Sequence, residues 1–158
     1  MIKAYAVNGL GREALALFKM MTQKTKPNSV TFQCVLNACS HAGLVFEAQE
    51  VLLAMKEFGT QPEASHFTCL IDALCRVGRL QEAEEMTESS GVTPDLITWM
   101  ILLSACRWKG EAERAQRCGE RALALATSKE EEAAIHVVLA KTYAAARQWE
   151  QVEAGGNR

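Results

Sequence analysis

The stretch that decides the fold is residues 29–63, SVTFQCVLNACSHAGLVFEAQEVLLAMKEFGTQPE. In its first half Phe32, Val35, Leu36 and Cys39 fall at helical spacing and predict one apolar helix face. His41-Ala42-Gly43 then interrupts the pattern, with a glycine where a helix would end. In the second half Ala48, Val51, Leu52 and Met55 predict another apolar face, stopped by Gly59 and Pro62. Two short helices with one apolar side each cannot bury those sides alone. Such a helix–turn–helix unit needs stacked neighbours.

The rest of the chain supplies them. The turn that opens the second helix recurs as GLGREAL (residues 9–15), GLVFEAQ (43–49), GRLQEAE (78–84) and GEAERAQ (110–116). A small residue at the close-packing position recurs as Ala14, Ala48, Ala83 and Ala115, at intervals of 34, 35 and 32 residues. Closing prolines recur as Pro27, Pro62 and Pro94. First-helix faces recur as Phe67/Leu70/Ile71/Leu74, Trp99/Leu102/Leu103/Cys106 and His136/Leu139/Ala140/Tyr143. Three residue classes in register at this period predict an all-α fold, a right-handed α-solenoid of stacked antiparallel helix–turn–helix repeats. The expected division is a partial repeat over 1–28, repeats over 29–63 and 64–95, and degenerate units over 96–130 and 131–158. In the first, Ala14, Leu17, Phe18 and Met21 form the second-helix stripe, and Met1-Ile2 align with Val35-Leu36, so the chain is expected to begin within a repeat.

Bulk properties narrow the function. No run of 18 apolar residues offers a membrane span. The first residues lack the apolar stretch of a signal peptide and the Arg- and Ser-rich character of a transit peptide. Six cysteines at 34, 39, 69, 75, 106 and 118 include no C-x-x-C pair, so they read as reduced, buried small hydrophobes in a reducing compartment, not as a disulfide or metal site. The net charge of −2 conceals a gradient: residues 1–28 carry +4, 29–95 carry −7, 96–130 carry +2 and 131–158 carry −1. A non-specific nucleic-acid binder is basic where it binds, because phosphate neutralisation dominates its affinity. The acidic centre is the opposite.

The Gly-led GREAL turn, the following helix and the closing Lys26-Pro27-Asn28 resemble the pentatricopeptide repeat family. VTFQCVLNACSHAGLVFEA is similar to its longer L variant, and SHFTCLIDALCRVGRLQEAEEM to its shorter S variant. Such alternation resembles the plant-type subclass in which P, L and S motifs follow one another. WMILLSACR (residues 99–107), with Gly110 and Glu113 after it, resembles the first E motif that closes such arrays. IHVVLAKTYAAARQWEQV (135–152) is similar to the second, whereas residues 153–158 do not continue the family's next helix.

The resemblance implies that each repeat reads one base of single-stranded RNA through its fifth and last residues, with its second residue flanking the base. Residues 64–95 then place Thr68 and Asp95 as the reading pair, a combination that in the family favours guanine, with Ser65 as flank. Residues 29–63 place Gln33 and Glu63, with Val30 as apolar flank, and the partial first repeat keeps Asn28 as its last residue. No base is assigned to the L-type repeat. Met100 and Val137 occupy the fifth position of the E motifs and offer no hydrogen bond, which points those units toward protein partners. The residues alone also fit a plainer account, in which Thr68 and Gln33 are solvated helix-start residues and Asp95 is an N-cap. Trp99 and Trp149 are expected to pack in the core.

An enzyme is not expected. Arrays of this kind often precede a cytidine-deaminase-like domain, whose zinc chemistry needs H-x-E and P-C-x-x-C. Here Gly43, Thr68 and Val138 stand two residues after His41, His66 and His136, so neither signature is present and no metal or cofactor is implied. Glu82, Glu84, Glu85 and Glu88 read as a solvated helix face, and Glu130-Glu131-Glu132 as a helix start. The expected function is a sequence-specific RNA-binding segment of a mitochondrial or chloroplast RNA-processing factor. It would recognise sites of C-to-U editing and meet a deaminase or editing-complex protein through its E motifs. The alternative is a protein-interaction scaffold of the tetratricopeptide type, which shares the hairpin and period.

Overall fold

The computed structural model describes residues 10–107 and 111–156. These form eight helices and no strand: α1 Gly11–Thr22, α2 Ser29–Ala42, α3 Val45–Glu57, α4 Ala64–Arg76, α5 Leu80–Ser89, α6 Leu96–Cys106, α7 Ala112–Leu125 and α8 Lys129–Gly156. The chain divides into two compact units, Met1–Thr93 and Pro94–Arg158. The first contains α1–α5 and the second α6–α8. The expectations for Met1-Ile2, Gly9, the Gly110 turn, the Trp149 side chain and the last two residues fall outside what is described.

In the first unit α2 is central, packed against α1, α3 and α4, while α4 also meets α3 and α5. The predicted faces of α2 and α3 are buried throughout: Phe32, Val35, Leu36 and Cys39 from one, Ala48, Val51, Leu52 and Met55 from the other. Phe32 lies between Phe18 and Phe58, with centroid distances of 5.6 and 6.0 Å in tilted arrangements that suit aromatic quadrupoles. Burying one such side chain contributes about 1.5–3 kcal/mol. α2 ends at Gly43, whose φ of 68° lets the chain reverse while its N–H and that of Leu44 close on the Cys39 and Ser40 carbonyls. Gly59, Gly78 and Gly91 also have positive φ, so the predicted punctuation is built into the backbone. Gly11 matters for another reason. A Cβ there would stand 2.6 Å from Ala42 Cβ and 2.9 Å from the Ala38 carbonyl oxygen, so α1 approaches α2 backbone to backbone.

In the second unit Trp99, Leu102, Leu103 and Cys106 of α6 are buried as predicted, together with Ala115, Cys118 and Ala122 of α7. The Arg121 guanidinium lies 5.7 Å from the Trp99 ring centroid, a cation–π distance.

Two predicted faces need correction. In α8, His136 and Ala140 are exposed, Leu139 is half-buried and Tyr143 is 43% exposed, while Ile135, Thr142 and Ala146 are the buried residues among those described. Gly119 of α7 sets this rotation, because Leu139 occupies the space a Cβ would fill, at 2.9 Å. In α4, Phe67 is only half-buried, and the neighbouring His66 takes the interior place at 1% exposure.

Candidate nucleic-acid interface

Three first helices, α2, α4 and α6, begin with the same grammar: a proline, a capping residue, then the helix. Asn28 occupies the N-cap of α2, and its Oδ1 accepts from Thr31 N at 2.9 Å and from Thr31 Oγ1 at 3.0 Å. Asp95 does the same for α6, its Oδ1 accepting from Thr98 N at 3.0 Å and Thr98 Oγ1 at 2.8 Å. Such caps satisfy helix donors that have no partner within the helix. Both caps use a single oxygen. The Asn28 amide nitrogen and the Asp95 Oδ2 keep their hydrogen-bonding capacity on exposed residues. Glu63 stands at the N-cap of α4, where its backbone N–H donates to His66 Nδ1 at 3.0 Å.

That bond fixes the histidine. With Nδ1 accepting, the proton sits on Nε2, which lies 3.3 Å from the Ser29 carbonyl oxygen and donates to it. A buried ring therefore ties the start of α4 to the start of α2. The same two helix starts meet again where Gln33 Nε2 reaches the Ser65 carbonyl at 3.5 Å and Cys69 Sγ at 3.1 Å. Toward the other end of the helices, Ser40 donates to Asp72, which Arg76 Nε also reaches at 3.0 Å.

These contacts align the candidate residues of the first unit along one edge, at the N-terminal turns of α2 and α4. Asn28, Glu63 and Ser65 are exposed, and Val30 is 70% exposed despite being apolar. Thr68 is half-buried, its Oγ1 donating to the Ala64 carbonyl at 2.8 Å. Gln33 is also half-buried, but its amide is turned into the seam between the helices. In the second unit Asp95 is exposed, Met100 half-buried and Val137 exposed. Ile97, at the register of Val30 and Ser65, is 64% exposed. Sequence reading passed over Ile97 and the buried role of His66. The signal for both was the offset from the cap, two residues for Ile97 and three for His66, as for Thr31 and Thr98.

In each unit these helix starts offer short polar side chains and an exposed aliphatic, and none of the candidate residues is basic. Two buried thiols are held protonated: burial pushes Cys39 up to about 11 and Cys69 up to about 12. Among the described residues no group of three or more His, Cys, Asp or Glu is placed to hold a metal ion.

The sequence pattern of the PPR repeat family matches residues 27–76, and that of the PPR repeat matches residues 1–25 and 65–89, together more than half of the chain. The chain belongs to the PPR repeat family. Among similar proteins is an Arabidopsis thaliana pentatricopeptide repeat-containing protein, 40% identical over 152 residues, a match covering 95% of this chain and 19% of that protein. A mitochondrial pentatricopeptide repeat-containing protein of the same plant is 41% identical over 154 residues, 96% of this chain and 27% of its own. The chloroplastic CRR2, also from Arabidopsis thaliana, is 37% identical over 155 residues, 97% and 23%. The chain thus spans about a quarter or less of these relatives. The crystal structure of the maize PPR10 protein superposes with a TM-score of 0.68 at 17% identity, covering 99% of this chain and 23% of PPR10. PPR10 in complex with an 18-nt psaJ RNA element gives 0.63 at 25% identity, covering 85% and 19%. The all-α repeat architecture read from the sequence is the PPR fold.

Proposed function

We propose that this PPR chain is a sequence-specific single-stranded RNA-binding segment of an organelle RNA-processing factor, and that its class is the PLS type with E motifs that locates cytidines for C-to-U editing. The observation that carries the reading is the capped helix start, found within each unit. Asn28 and Asp95 are oriented by their own helices through one oxygen and keep a second polar atom on an exposed side chain. A side chain fixed in this way meets a base edge with little further ordering cost. Val30 and Ile97, apolar yet mostly exposed, suit contact with a base face. Support also comes from relatives whose names place them in mitochondria or chloroplasts and from the likeness to RNA-bound PPR10. In this reading Thr68 and Asp95 select guanine for repeat 64–95, Ser65 is a weak flank, and the units after residue 95 engage an editing-complex protein or a deaminase.

The test is fluorescence anisotropy with short single-stranded RNAs carrying each base at every position, against duplex RNA of the same sequence. The expected result is preference for the single strand, with guanine favoured at one position. Thr68→Asn should reduce that guanine preference about tenfold, equivalent to about 1.4 kcal/mol. Equal binding to all four bases in both proteins refutes the assignment, and absence of RNA binding favours the protein-interaction scaffold.

A further inference from the structure

Gln33 occupies the fifth position of repeat 29–63, yet its amide is committed elsewhere. Nε2 donates to Cys69 Sγ at 3.1 Å and Asn37 Oδ1 at 3.2 Å, and reaches the Ser65 carbonyl at 3.5 Å. The Cys69 thiol in turn donates to Asn37 Oδ1 at 3.0 Å, with the Ser65 carbonyl at 3.4 Å. Of the three groups around this nitrogen, the Ser65 carbonyl oxygen can only accept, and it favours the amide nitrogen on this side. The consequence falls on Oε1, which is buried and has no hydrogen-bond partner. A buried amide oxygen without a partner is costly, so this inward arrangement is held against a standing penalty. What holds it is Cys69, 6% exposed on the neighbouring helix, together with Asn37 one turn along α2.

Resting on the RNA-binding reading above, we propose that Cys69 is a specificity-determining positioning residue: through its contact with Gln33 and Asn37 it withholds the Gln33 amide from the ligand edge and leaves repeat 29–63 indifferent to the base it meets. With the latch removed, the amide turns outward, where its oxygen gains solvent or a base N–H and its nitrogen a base acceptor. The repeat then discriminates. Cys69 acts from one repeat on the reading residue of the one before it, so the selectivity of 29–63 is written partly in 64–95.

Two readouts separate the latch from the function it serves. In the free chain, NMR exchange of the Gln33 side-chain amide protons should be slowed in the wild type and fast in Cys69→Ala. Cys69→Ser, whose hydroxyl both accepts and donates, should restore protection. With single-stranded RNAs varied at the nucleotide facing repeat 29–63, wild-type affinities are expected to agree within about twofold. Cys69→Ala should open a spread of at least about fivefold, and adding Gln33→Ala should abolish it. Unchanged amide exchange in Cys69→Ala overturns the latch, as does a changed base preference on Gln33→Ala alone. Fast exchange without any gain in discrimination overturns the claim on specificity. Should the chain bind no RNA, the proposed function fails while the amide measurement still decides the latch.

Discussion

At His66 the imidazole receives the Glu63 amide through Nδ1 and hands its own proton to the Ser29 carbonyl through Nε2. The ring is buried and its bonds part-buried, so truncation leaves a void and takes the partner of the Glu63 N–H away. His66→Ala is expected to cost about 2–4 kcal/mol in urea unfolding. His66→Thr restores the residue type found at Thr31 and Thr98 and should cost less, because a hydroxyl there can still accept the cap amide. A loss below about 0.5 kcal/mol for alanine, the level of ordinary surface changes, would remove the histidine from this role. The buried thiols make a second residue-scale case. Cys39 and Cys69 hold their protons to about 11 and about 12 in the folded chain, against an ordinary value of 9.0. Burial is the main cause in both. For Cys69 the Gln33 bond pulls the other way, while Asp72 and Cys39 push upward. Stability from these groups is fully present below pH 9.0 and declines as pH rises from there toward the folded values, because only the unfolded chain ionises in that window. Unfolding midpoints should therefore fall as pH rises from 9.0 toward about 11, and less steeply in Cys39→Ala/Cys69→Ala. Equal slopes refute the account.

Among the elements, the start of α8 shows how much a helix terminus can rest on one carboxylate. Glu131 accepts from Thr127 N at 2.7 Å and Thr127 Oγ1 at 3.1 Å, while its own N–H donates to Ser128 Oγ at 3.1 Å. This reciprocal arrangement is a capping box shifted by one residue. The Thr127 bonds hold the Glu131 carboxyl below its ordinary value of 4.5. Its contribution is complete above that value and is lost as pH falls through the lower folded one. Hydrogen exchange of the first turn of α8 should accelerate on acidification, and Glu131→Gln should flatten that dependence. An acid-insensitive first turn would contradict it. The same helix shows where sequence reading stops. The faces of α2 and α3 were legible because large apolar residues recur at helical spacing among smaller or polar ones. Along α8, Ala133, Ala134, Ala140 and Ala144–Ala146 give almost no contrast, and rotation is decided by Leu139 entering the gap at Gly119. The candidate edge was legible in part for a related reason. Caps depend on residues three apart and can be read locally. The inward turn of Gln33 depends on Cys69, 36 residues away, and no local pattern announces it.

At the scale of the whole chain, the proposed RNA contact has to work with little help from long-range electrostatics. Residues 29–95 carry −7, and two of the capping residues, Glu63 and Asp95, are themselves acidic. For single strands each neutralised phosphate adds about −0.7 to the slope of log K against log salt. The expected slope is therefore shallow, less than about −2, corresponding to fewer than three phosphates. A steep slope would mean that affinity comes from the basic segment 1–28, with +4, or from 96–130, with +2. The base-reading edge would then be secondary.

The capping pattern also decides where one module stops and the next begins. Asn28, Glu63 and Asp95 each bond to the residue three positions ahead, so they belong mechanically to the repeat they precede. The boundary between the two compact units, after Thr93, respects this by keeping Asp95 with Thr98. A recombination junction, natural or engineered, placed between 28 and 29 or between 63 and 64 would deliver a helix without its matched cap. Placed one residue earlier, behind the proline, it would transplant cap, helix and reciprocal side chain as an intact cassette.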